Sequence, residues 1–188
     1  SKRAGGLESD KMSVEALRFH MDKGLVRPTF ERLGPLVGKV MVEMNIDSWE
    51  ANCQTWTKKF PEEFAKRRGY DMRKWLVALT GRFVESVDET ERFMWDYRRT
   101  VGDLIAHNFY GAFRDYAHEW GVKVSAEAPG IDIPIQSDQI QVLGMMDIPQ
   151  GEFWLGGGKP NPKYPQWPGG QDNTKEAAVA GHVYGKKV

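Results

Sequence analysis

The chain has 188 residues, enough for one domain with a sizeable core. Its 26 basic and 26 acidic residues cancel, so no positive surplus points to nucleic acid or an anionic membrane surface. The single cysteine, Cys53, excludes an internal disulfide, and no apolar run approaches the length of a membrane span.

Residues 1–12 read as a loop, and Ser13 caps a helix that carries Ala16, Leu17, His20 and Met21 on one face and ends at Gly24. Pro28 restarts the chain, and Phe30, Leu33 and Leu36 lie on a short helical or turn segment. Val40, Val42, Met44 and Ile46 then alternate with Met41, Glu43, Asn45 and Asp47. That is a strand with one apolar face and one that turns polar towards its C-terminal end. Asp47 closes it, with Trp49 and Glu50 on the loop it feeds. Two carboxylates and a tryptophan there suit the working face of a sugar-cleaving barrel. Solvated acids and a core tryptophan suit the same residues.

Trp56, Phe60 and Phe64 form a helical stripe with Pro61 near its start and Gly69 at its end. The apolar run Trp75–Thr80, closed by Gly81, predicts a buried parallel strand. Residues 88–120 predict a long helix with Asp88 as cap and Glu91 as its box partner, broken near Gly102 or between Asn108 and Gly111. Val122–Glu127 repeats the pattern of a strand whose polar face ends in an acid, and Gln141–Asp147 is expected to do the same. Glu152 follows beside Phe153 and Trp154. Residues 156–170 read as a Gly/Pro-rich loop; a last helix starts at Asn173 or Thr174 and ends at Gly185, and Lys187-Val188 would open another strand.

Strands alternating with helices predict an α/β fold with a parallel sheet. Asp47, Glu127 and Asp147 end their strands on one parity, so a shared pocket at the strand C-termini is expected. Four strands, or five with the last, are too few for a closed (β/α)8 barrel, which takes about 250 residues. The expectation is a partial TIM-type barrel cut at both ends, with residues 1–188 a segment of one catalytic domain.

The ordered set Asp47-Ser48-Trp49-Glu50, Trp56-Thr57, Arg67-Arg68-Gly69-Tyr70-Asp71, Leu79-Thr80-Gly81, Glu127-Ala128-Pro129-Gly130, Asp147-Ile148-Pro149, Gly151-Glu152-Phe153-Trp154 and Ala180–Lys186 resembles the α-L-rhamnosidases of glycoside hydrolase family 106. The resemblance implies a catalytic (β/α)8 domain, inverting hydrolysis of terminal α-L-rhamnosyl groups of plant or bacterial glycans or glycosides, and Ca2+ near the sugar. By motif position it implies Glu50 as acid and Glu152 as base, and Asp47 and Glu127 as acids that contact sugar or metal. It implies a carbohydrate substrate, the remainder of a longer parent enzyme, and a periplasmic or secreted location; the residues themselves give no compartment. An organic cofactor, a nucleic acid or a membrane is not expected.

The chemistry fits these residue types. An oxocarbenium-like transition state needs one protonated carboxyl at the leaving oxygen and one carboxylate on the opposite side, roughly 6.5–9.5 Å away for inversion. Aromatic neighbours such as Trp49 and Trp154 would desolvate one acid and keep it protonated. Asp47, Trp49, Glu127, Asp147 and Trp154 are the candidate sugar-binding side chains, and Asp47 and Glu127 the candidate Ca2+ ligands. His107, His118 and His182 lack zinc spacing, and His107 and His118 are expected to pack on the long helix. Two other readings stay open: a carbohydrate-binding or structural fragment without catalysis, and a barrel glycosidase for another sugar.

Overall fold

A computed structural model describes residues 8–47, 49, 53–129, 137–153 and 174–188. Glu50 and Trp154 lie outside the described residues. The fold is mixed α/β and helix-rich, around a small parallel sheet of three strands in the order β1-β2-β3.

The helices begin and end where local chemistry dictates. In α1 (Val14–Lys23) the Ser13 hydroxyl accepts from Ala16 N at 3.2 Å, and Leu17 and Met21 face the core while His20 is exposed. In α2 (Val26–Leu33) Pro28 sits in the first turn, where its missing N–H costs no intrahelical bond. In α3 (Phe60–Arg68) Pro61 does the same, Trp56 stacks on Phe60 at 5.0 Å, and Gly69 ends the helix with φ 83°.

Strand β1 is shorter than the alternation predicts, spanning Glu43–Ile46, with Val40 and Val42 exposed ahead of it. The strand expected at Trp75–Thr80 is a 3-10 helix over Arg73–Thr80. Its two buried side chains, Trp75 and Ala78, are three residues apart, which is the 3-10 repeat rather than strand alternation.

The long helix is three pieces. Helix α4 (Val87–Leu104) is capped by Ser86, whose hydroxyl accepts from Glu89 N at 3.2 Å, so the N-cap lies two residues ahead of the expected Asp88; Ser86 N itself donates to Val84 O rather than closing a capping box. A π-helical stretch, Ile105–Gly111, interrupts it where a break is expected, and α5 (Ala112–His118) completes it. His107 and His118, expected to pack, are exposed.

Strand β2 (Lys123–Ala126) pairs in parallel with β1, Asn45 opposite Ser125 and Ile46 opposite Ala126. The strand expected at Gln141–Asp147 is instead α6 (Gln139–Met145), capped by Asp138, whose carboxylate accepts from Gln141 N at 3.0 Å. Its buried residues Val142, Leu143 and Gly144 are consecutive, a pattern that periodicity alone cannot assign to strand or helix. The strand β3 (Ile148–Pro149) follows and pairs with β2. Helix α7 (Thr174–Tyr184) packs closely on α6: a Cβ on Gly144 would meet Tyr184 Cε2 at 2.3 Å. Residues 186–188 form no strand.

Ile46, Val124 and Ala126 enter one core with Phe60, Phe64, Phe93, Leu104, Ile105 and Tyr110. The opposite parity, Asn45 and Ser125, is polar, and the Asn45 side-chain amide donates to Ser125 Oγ at 3.0 Å and to Gln150 Oε1. A sheet with helices on one face and a polar seam on the other gives the strand ends a defined side to build a site on.

Candidate active site

The three strands run parallel, so their C-terminal ends form one edge. Asp47 leaves β1 there, and Glu127 leaves β2 beside it, its backbone N donating to Ile46 O at 3.1 Å. Gln150 N donates to Ala126 O at 3.0 Å as the chain leaves β3, and Glu152 follows two residues on, half-buried. Asp47 and Glu127 therefore share both the edge and the parity of the polar seam. They differ in exposure: Asp47 is exposed, whereas Glu127 is 7% exposed.

Asp147 does not join them. It precedes β3 rather than ending a strand, level with Val124: its N donates to Val124 O at 3.0 Å, and its carboxylate accepts from Val124 N at 2.8 Å. His118 on α5 lies 2.8 Å from the same carboxylate. Because Gln141–Met145 is helix, the chain reaches Asp147 at the start of β3, and the expected three-acid pocket reduces to Asp47 and Glu127.

Trp49 is 6% exposed, with the Lys11 ammonium 4.7 Å from its ring centroid, so its face is covered rather than open for stacking on a sugar. Its indole N–H is buried without a hydrogen-bond partner among the described residues. The Tyr110 hydroxyl is in the same condition. Burial first, and the charge of Glu127 second, push the Tyr110 phenol well above its ordinary value, so it stays a neutral donor.

Lys11 and Tyr110 are the neighbours that sequence reasoning missed. Lys11 sits in a stretch with no periodic signal, and Tyr110 falls where the π-helical stretch breaks helical spacing. A separate cavity of about 390 Å³ opens between the N-terminal ends of α1 and α3, lined by Asp10, Glu15, Thr57, Lys59 and Asn108 among others. It contains none of the predicted site residues.

Ca2+ takes six to eight oxygen ligands. Among the described residues no group of three or more His, Cys, Asp or Glu could hold a metal. Asp47 and Glu127 supply only part of the oxygen set that Ca2+ takes.

A family model described as alpha-L-rhamnosidase matches residues 1–188. A protein of Formosa agariphila named "Putative beta-glucuronidase" is 39% identical over 187 residues, covering 100% of this chain and 15% of its own length. The structure of the rhamnosidase from Novosphingobium sp. PP1Y superposes with a TM-score of 0.74 at 35% identity, over 96% of this chain and 17% of that one. The chain thus spans about a sixth of the length of the relatives it matches.

Proposed function

The chain belongs to the α-L-rhamnosidase family, glycoside hydrolase family 106, and from that premise we propose that it supplies part of the sugar-cleaving centre of an inverting α-L-rhamnosidase. The observation that carries this reading is the meeting of Asp47 and Glu127 at the C-terminal ends of two hydrogen-bonded parallel strands, on the polar face of the sheet. Strand C-termini are where barrel enzymes assemble their chemistry. In this reading the three strands are part of a (β/α)8 barrel, and residues 1–188 are a segment of one catalytic domain. The substrate is a terminal α-L-rhamnosyl group of a glycan or glycoside.

Glu50 gives its proton to the glycosidic oxygen as the bond to the anomeric carbon breaks. Glu152 takes a proton from the water that attacks that carbon from the opposite side, which inverts its configuration. The positive charge that develops on the ring is stabilised by the carboxylates at the rim, Glu127 above all, since burial strengthens its field. Asp47 and Trp154 bind sugar hydroxyls and ring faces, and Trp49 acts through its indole N–H. A calcium ion at Asp47 and Glu127 would need further oxygens; calorimetric titration with Ca2+ checks it, with binding expected to weaken in Asp47→Asn.

A second assignment makes Glu127 the base, favoured by its burial at the end of the central strand, whereas Glu152 lies three residues beyond β3. The test is kinetic, in the natural protein carrying this chain. Glu152→Gln is expected to lose most turnover on an aryl α-L-rhamnoside while still binding L-rhamnose. Turnover lost in Glu127→Gln but kept in Glu152→Gln moves the base to Glu127. Because one relative is named as a glucuronidase, aryl β-glucuronide is assayed alongside. Cleavage of that substrate alone replaces the rhamnoside, and binding without cleavage of either makes the chain a carbohydrate-binding element.

A further inference from the structure

We propose that Lys11 is a positioning residue for this site: its buried ammonium holds the Trp49 ring, and with it the chain leaving β1, in the orientation that glycoside cleavage requires. The inference rests on the reading that Asp47 and Trp49 belong to the sugar site. Lys11 is 8% exposed, its Nζ 4.7 Å from the Trp49 ring centroid and 5.8 Å from that of Phe109. Its anionic partner, Glu8, has a side chain 71% exposed, so that ion pair is largely screened by water. Burying an ammonium against two aromatic rings is expensive compared with a leucine or methionine of similar volume. What a cation adds is direction, because its attraction is to the ring face. A ring fixed by its face also fixes where its N–H points, and that N–H has no partner among the described residues.

The backbone of Lys11 is itself clamped to the connection that carries Trp49. Lys11 N donates to Gln54 Oε1 at 2.9 Å. The Asp10 carboxylate accepts from Met12 N at 2.9 Å, from Thr57 Oγ1 at 2.6 Å and from the Gln54 side-chain amide. Asn108, in the π-helical stretch, donates to Met12 O at 2.8 Å. Residues 10–12 thereby grip the β1–α3 connection at two places: near its start through the Trp49 ring, and near its end through Gln54 and Thr57. A contact that only filled space would not need both the grip and the charge.

The experiment compares wild type, Lys11→Met and Lys11→Arg of the natural protein on an aryl α-L-rhamnoside. Lys11→Met keeps the stem and removes the charge; its kcat is expected to fall about tenfold, with KM changed by less than about threefold. Lys11→Arg restores the charge over the ring and is expected to recover kcat to within about threefold of wild type. Three results overturn the proposal: unchanged kcat in Lys11→Met, a loss confined to KM, or equal impairment in both variants, which is what a packing role produces. An inactive wild type overturns the glycosidase reading and this one together, whereas an active wild type with an indifferent Lys11→Met overturns this one alone.

Discussion

Tyr110 is fully buried, and its hydroxyl finds no protein partner among the described residues. An unsatisfied buried hydroxyl costs about 1–3 kcal/mol, so Tyr110→Phe is expected to leave stability unchanged or raise it by about 1 kcal/mol, read by urea denaturation. A drop in stability would mean that the hydroxyl is already bonded in the folded protein. Asp10 is the opposite case, with one carboxylate satisfying three donors. Asp10→Ala leaves those donors searching for water and is expected to cost about 2–3 kcal/mol by the same measurement. At this scale the alternation of β1 and β2 was enough to place Asp47 and Glu127 at the ends of their strands. Nothing local marks Lys11, because the ring that gives it meaning is far along the chain.

Among the elements, the start of α4 puts the cap on Ser86 and not on the expected Asp88. Both Ser86…Glu89 and Asp88…Glu91 have the right spacing, but only the first makes the bond. Ser86→Ala is expected to cost about 1 kcal/mol in thermal unfolding, and Asp88→Ala distinctly less. The end of α6 is held by two cations: Lys186 Nζ donates to Gly144 O at 2.7 Å and to Met146 O, and Arg114 donates to Met145 O at 2.7 Å. Burial first, and the Arg114 charge second, depress the Lys186 ammonium below its ordinary value. The unfolded chain then binds this proton more tightly than the folded one. Its contribution therefore makes stability rise with pH, in the window below the ordinary lysine value of 10.5. Comparing urea midpoints at pH 8 and pH 10 should show a smaller rise in Lys186→Met than in wild type. The misread elements share one cause. Trp75–Thr80 and Gln141–Met145 are short apolar runs whose identity is decided by tertiary packing, not by period.

The whole molecule was legible as alternating strands and helices around a parallel sheet, and the closing helix and most caps fell where turn chemistry puts them. The number of strands was not legible, since two apolar runs became helical. The sheet that results pairs β2 on both sides and leaves β1 and β3 each with one partner among the described residues. Val40 and Val42, ahead of β1, are 73% and 50% exposed. Unpaired strand edges beside exposed β-branched residues recruit other strands. Residues 1–188 produced alone are expected to self-associate, with a sedimentation coefficient that climbs with concentration; a monomer at every concentration would show that these edges are protected.

The π-helical stretch Ile105–Gly111 sets a phase for everything after it. The stretch holds about one residue more than regular α-helix needs for the same turns, and each α-helical residue advances about 100°, so letting all seven residues run as regular α-helix would turn α5 by roughly that angle. Tyr116, buried with its hydroxyl on Asp22 at 2.8 Å, would swing out of the core, and a charged neighbour such as Asp115 would swing towards it. The segment should therefore tolerate changes of identity and the loss of one residue, but not the gain of one. His107→Ala, at an exposed position, is expected to shift stability by less than about 0.5 kcal/mol. Deleting His107 lets the stretch become regular α-helix with α5 nearly in phase, and the protein is expected to stay folded, whereas inserting one residue beside His107 turns α5 by about 100° and should abolish soluble, folded protein.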